Sequence, residues 1–88
     1  MTNETLKLKL PTMTICDIAV IIMADWTKPY FGAIPYLQAM LCVDNLSDRY
    51  ICEDGRTQVI YFLGNAQTWR GERAKMIKAE LNRRLKAK

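Results

Sequence analysis

The densest charge in the chain belongs to Arg70, Arg73, Lys75, Lys78, Arg83 and Arg84. Cations at this density can neutralise phosphates and release counterions, the chemistry of nucleic-acid binding. Set at 100° per residue, they surround the circumference of a helix and flank a narrow apolar stripe of Ala74, Ile77, Leu81 and Leu85. Groove readers gather their cations on one face. The pattern therefore implies salt-sensitive phosphate contact to DNA or RNA without base readout. The competing reading is a solvated helix that sustains solubility.

Just ahead of this segment, Asn65, Gln67, Trp69 and Arg70 place amides, an indole and a guanidinium in one turn. Trp and Arg dominate interface hot spots, so the turn reads as a surface for a protein partner. The alternative has Trp69 closing one end of the core and Arg70 pairing with Glu53 or Asp54. Gly71 falls in the expected first turn of the last helix, where glycine costs about 1 kcal/mol relative to alanine. Close approach of a partner to the backbone would account for it. A third group, Trp26, Tyr30, Phe31 and Tyr36 with Lys28, can stack bases or fill a small core. The carboxylates Asp44, Asp48, Glu53 and Asp54 lie close enough in sequence for acid–base or magnesium chemistry, but their placement suits turns and caps.

The chain contains no histidine, which removes the commonest general base and metal ligand. Cys16, Cys42 and Cys52 are odd in number and lack metal spacing, so they read as reduced thiols packed in a cytoplasmic protein. No phosphate loop or nucleophile elbow is present. The expectation is a protein without enzymatic activity, cofactor or metal.

These groups must be positioned by few elements. With 88 residues the chain forms one domain, burying about 60–65% of its unfolded surface. Thr14–Trp26 reads as a central helix, with Ile15, Ile18, Ala19, Ile22, Met23 and Trp26 on one face. Thr14 and Asp17 are spaced as a capping box. A second helix follows Gly32, with Pro35 in its first turn, a stripe of Ile34, Leu37, Met40 and Leu41, and an end at Asp44–Asn45. Residues 49–63 admit two readings. Asp54–Gly55 signals a hairpin turn. Alternatively Asp54 caps a helix that Gly64 stops at Leu63, burying the Arg56 stem, Val59, Ile60 and Leu63. The unbroken apolar run Val59–Leu63 favours the helix, because a strand apolar on both faces needs cover on both sides. Thr68 caps a final helix over 70–86. Leu6–Leu10 alternates leucine with lysine, as an edge strand or a frayed arm would.

Charge is uneven along the chain. Residues 1–69 carry five basic and seven acidic side chains, whereas residues 70–88 carry eight and two. The longest apolar run, Ile18–Ala24, has seven residues, and a membrane span needs about 20.

The segment Tyr61–Glu72, with its Trp69–Arg70–Gly71 turn, followed by Lys78–Leu81 and preceded by Pro35–Leu41, resembles a family of small uncharacterised proteins from phages and prophage-like elements of Firmicutes and gut bacteria. The resemblance covers about residues 14–86. It implies a mobile-element context, a helical fold and a binding task, and it assigns no residue a catalytic role.

The expected fold is therefore all-α, a compact bundle of about four helices over 13–88 behind an N-terminal arm of residues 1–12. The alternative is α+β with a hairpin at 49–62. The expected function is binding of a host or phage protein through Asn65, Gln67, Trp69 and Arg70. The alternative is nucleic-acid binding through the basic terminal helix.

Overall fold

Three of the helices start where a side chain accepts a free backbone amide. The computed structural model describes residues 1–51 and 53–87. Helix α1 spans Asn3–Lys9, capped by Thr2, whose side chain accepts the Thr5 N–H; a 3-10 turn, Leu10–Thr12, continues it. Helix α2 spans Ile15–Asp25 behind the expected capping box: Thr14 accepts the Asp17 N–H at 3.0 Å, and Asp17 accepts the Thr14 N–H at 3.4 Å. A 3-10 turn, Phe31–Ala33, leads into α3, Ile34–Met40, with Pro35 in its first turn. Helix α4 spans Gly55–Gly64 and α5 spans Glu72–Lys86.

A two-residue antiparallel ladder precedes α4. Strand β1, Arg49–Tyr50, pairs with β2, Glu53–Asp54, in the register Arg49 with Asp54 and Tyr50 with Glu53. Both readings of 49–63 thus hold a part. The hairpin is short, and Asp54–Gly55 opens the helix instead of forming its turn. Asp54 caps it, accepting the Thr57 N–H at 2.9 Å. Gly55 and Arg56 donate to the carbonyls of Asp48 and Leu46, so the 44–48 loop completes the helix start. A Cβ on Gly55 would stand 2.7 Å from the Asn45 carbonyl, so only glycine fits there. The Cys52 thiol lies outside the described residues.

The architecture is mostly helical, with five α-helices among the described residues and this small ladder rather than a plain four-helix bundle. Its radius of gyration, 11.9 Å, matches the value of about 12 Å for a compact chain of this length. Helices α3 and α4 form the most extensive pair, and α2 and α5 pack across them.

Several details differ from the sequence reading. Leu6–Leu10 is helical, not an edge strand or a frayed arm: Leu6 and Leu10, one turn apart, are buried, and Leu8 points outward at 83% exposure. The N-cap of α5 is Gly71, not Thr68. Gly71 has φ 119°, a region that suits glycine, and no atom lies within 4 Å of the position its Cβ would take. Its reason is backbone conformation, not close approach. Helix α4 buries Gln58, Val59 and Phe62 and leaves Ile60 exposed, because Phe62 is drawn into an aromatic cluster. Gly64 is its last residue and Asn65 its C-cap, so no left-handed glycine ends it.

Candidate functional site

The aromatic side chains fall into two layers, one buried and one displayed. Trp26, at the end of α2, stacks on Trp69 with centroids 6.0 Å apart, and Phe62 meets both rings edge-on at 6.3 and 6.2 Å. Trp69 is 2% exposed, and its indole N–H donates to Asp25 Oδ2 at 2.9 Å. Of the two readings of Trp69, a contact surface or the end of the core, the structure shows the core. Burying three large rings together is more favourable than exposing one of them, and Asp25 satisfies the only polar atom of the indole.

Lys78 anchors the loop above this cluster. Its ammonium donates to the carbonyls of Ala66 at 2.7 Å and Trp69 at 2.6 Å, and lies 5.7 Å from the Trp69 ring centroid. Burial lowers its pKa from the ordinary lysine value, and the nearby Arg70 cation lowers it further. Within the loop, the Asn65 amide donates to the Tyr61 carbonyl and Gln67 to that of Gly64. Gln67 and Arg70 are exposed, and Arg70 forms no hydrogen bond or ion pair among the described residues. The expected pairing of Arg70 with Glu53 or Asp54 is absent there: Glu53 accepts from Gln58 and Asp54 caps α4.

The displayed layer lies beside Asn65. A Cβ on Gly32 would stand 2.6 Å from the Tyr30 ring and 2.9 Å from Asn65 Oδ1, so glycine lets Tyr30 fold over the backbone against the loop. Phe31 packs on Tyr30 at 5.0 Å yet remains 76% exposed. Tyr61 stacks on Tyr36 at 5.4 Å and is half exposed. Tyr30 with Phe31 and Tyr61 with Tyr36 thus form two displayed aromatic pairs, the ledge, linked by Asn65, which lies against Gly32 and donates to the Tyr61 carbonyl. Of the sequence-predicted group Trp26, Tyr30, Phe31 and Tyr36, Trp26 belongs to the core and the others to this ledge or its edge.

The basic residues are largely engaged with the protein itself. Arg73 donates to Asn3 Oδ1 at 2.7 Å and to the Met1 carbonyl. Arg83 and Arg84 both hold Glu80, at 2.7 and 2.6 Å, and Arg84 also donates to the Leu10 carbonyl at 2.8 Å. The hydrogen bond from Arg83, reinforced by Arg84, keeps the Glu80 carboxyl below the usual glutamate range although burial pushes it up. With Lys78 under the loop, four of the six cations named from sequence are committed internally. Lys75 and Arg70 are exposed, and Arg83 is 58% exposed although it pairs with Glu80. The Glu80 pairs with Arg83 and Arg84 carry the i,i+3 and i,i+4 spacing of helix ion pairs, whereas the bonds of Arg73 to Asn3 and of Arg84 and Lys78 to backbone carbonyls leave no sequence signal.

Of the clustered carboxylates, Asp48 acts as a turn residue and Asp54 as a helix cap. Asp48 accepts the N–H groups of Asp44 and Asn45, each at 2.9 Å, and the Asn45 and Asp44 amides hold its pKa below the usual aspartate value. Cys16 and Cys42 are free thiols. Among the described residues no helix is long and apolar enough to cross a membrane. No protein-family model, curated protein or solved structure matches the chain.

Proposed function

We propose that this protein is a non-enzymatic binding module that engages a protein partner through the ledge of Tyr30, Phe31 and Tyr61, with Asn65, Gln67 and Arg70 in the adjoining loop. The observation that carries this reading is Phe31, an aromatic ring 76% exposed beside Tyr30 in a chain that buries both of its tryptophans. Rigid aromatic area with neighbouring amides and one unpaired arginine is the composition of interface hot spots. The resemblance at Tyr61–Glu72 supports a host or phage protein as the partner, and the free thiols of Cys16 and Cys42 support a cytoplasmic setting. The engagement of Arg73, Lys78, Arg83 and Arg84 with the fold weighs against phosphate binding by the terminal helix.

The test compares capture from bacterial lysate by the wild-type protein and by Phe31→Ser, alongside anisotropy titrations with duplex and single-stranded DNA. Phe31→Ser is expected to lose a specific captured protein while its circular dichroism stays unchanged. Micromolar DNA binding that survives near-physiological salt and weakens on charge reversal at Arg70 and Lys75 would overturn the reading in favour of nucleic acid.

A further inference from the structure

A groove of about 320 Å³ follows the seam between α1 and α5. Leu10 and Pro11 line it from one wall, Met76 and Ala79 from the other, so its bed is apolar and holds no aromatic ring. The seam is pinned at both ends: Arg73 donates to Asn3 Oδ1 at 2.7 Å, and Arg84 donates to the Leu10 carbonyl at 2.8 Å. Its walls are therefore set before anything binds, which lowers the ordering cost of an occupant. At Pro11 and Arg83 the groove joins a second cleft of about 510 Å³, which reaches Met13 and Leu46. The combined path is elongated and suits a chain rather than a compact molecule.

Cations surround this bed. Lys7 and Arg83 line the groove, and Lys75 and Lys86 stand one turn before and two turns after Ala79 on α5. All four are exposed, and Lys7, Lys75 and Lys86 have no hydrogen bond or ion pair among the described residues. The carboxylate in the lining, Glu80, is buried and already bound by Arg83 and Arg84. Glu4 and Glu72 lie in the first turns of the two helices, outside the lining. The rim is thus an unneutralised positive frame around apolar surface. Its complement carries carboxylates for the rim and apolar side chains for the bed. A nucleic acid supplies the charge, but the bed has no ring on which its bases could stack. A flat lipid surface supplies both, but it does not reach a bed recessed between two helices.

We infer that the α1–α5 groove is a docking site for an acidic amphipathic segment of a partner protein. The apolar side chains of that segment seat on Leu10, Pro11, Met76 and Ala79, and its carboxylates meet Lys7, Lys75, Arg83 and Lys86. Helix-in-groove recognition works in this way, with apolar anchors in the groove and charge at its edges. Complementary charge fixes which segments are admitted, and the unbranched Met76 side chain adapts to the group seated on it. The groove shares no residue with the aromatic ledge, and the inference does not depend on the ledge having a partner.

The probe is a fluorescein-labelled synthetic peptide of about 15 residues, with leucine along one helical face and glutamate elsewhere. Its anisotropy is titrated with the full chain at near-physiological salt. Micromolar binding is expected, and binding weaker by about tenfold or more for two control peptides, one with serine for each leucine and one with lysine for each glutamate. Ala79→Glu sets a carboxylate on the bed at an exposed position. It should leave circular dichroism unchanged and weaken binding about tenfold, and Lys75→Glu on the rim should act in the same direction. Lys28→Glu removes more positive charge away from the groove and should change affinity by less than about twofold. No binding up to about 500 µM overturns the inference. So does a serine peptide that binds equally well, or an equal loss in Ala79→Glu and Lys28→Glu. Tighter binding to duplex DNA or to phosphatidylglycerol vesicles, lost in Ala79→Glu, overturns it in favour of that ligand.

Discussion

Gly71 and Gly64 show how differently one residue type can act at two helix boundaries. Gly71 holds φ 119° with nothing near its missing Cβ, so its substitution is penalised by backbone strain alone. Gly64 is helical and equally uncrowded, so a methyl group there only restricts the unfolded chain. Gly71→Ala is expected to destabilise the fold by about 1–2 kcal/mol, and Gly64→Ala to stabilise it by about 0.5–1 kcal/mol, both measurable by urea denaturation. Equal effects of the two substitutions would contradict the placement of the α5 start at Gly71. Trp69 teaches a related lesson. Its type suits an interface or a core equally well, and only the proximity of Trp26, Phe62 and the Asp25 carboxylate resolves the choice.

At the scale of elements, α1 is the segment whose sequence pattern and structure diverge most. A strand over Leu6–Leu10 would put Leu6, Leu8 and Leu10 on one face. The helix and its 3-10 extension bury Leu6 and Leu10 and expose Leu8. Leu6→Ala should therefore cost about 2–4 kcal/mol, and Leu8→Ala should fall within about 0.5 kcal/mol of wild type. Equal costs, read from the same denaturation curves, would favour the strand. The helix prevails because α5 supplies its partners: Arg73 reaches Asn3 and Met1, and Arg84 reaches the Leu10 carbonyl. Thus the basic residues that suggested a phosphate surface also clasp the N-terminal helix.

For the whole molecule, Glu80 is the electrostatic joint of this clasp, nearly buried and bound by both Arg83 and Arg84. Its folded pKa is lowered, as are those of Asp48 and Asp54 through their amide hydrogen bonds. A lowered carboxyl pKa contributes stability that is fully present above the unfolded value, near pH 4, and is lost as pH falls through the folded value. The thermal midpoint is therefore expected to hold steady above about pH 5 and to fall on acidification toward about pH 3. Glu80→Gln should lower stability at neutral pH and flatten part of that fall. An acid transition of unchanged depth in Glu80→Gln would show that the clasp contributes little. The sequence by itself determined the elements whose signals are local: the capping box of α2, the Asp54 cap of α4, Pro35 in the first turn of α3 and the apolar stripe of α5. Periodicity and capping act over three or four residues, so they can be read from the chain alone. Only the tertiary structure decided that Trp69 is core, that Phe31 is displayed, that α1 is a helix, and that Arg73, Lys78 and Arg84 bind back onto the fold. Each of these outcomes depends on which distant groups share a small interior, where burial of the largest rings and satisfaction of each buried polar atom outweigh local preference.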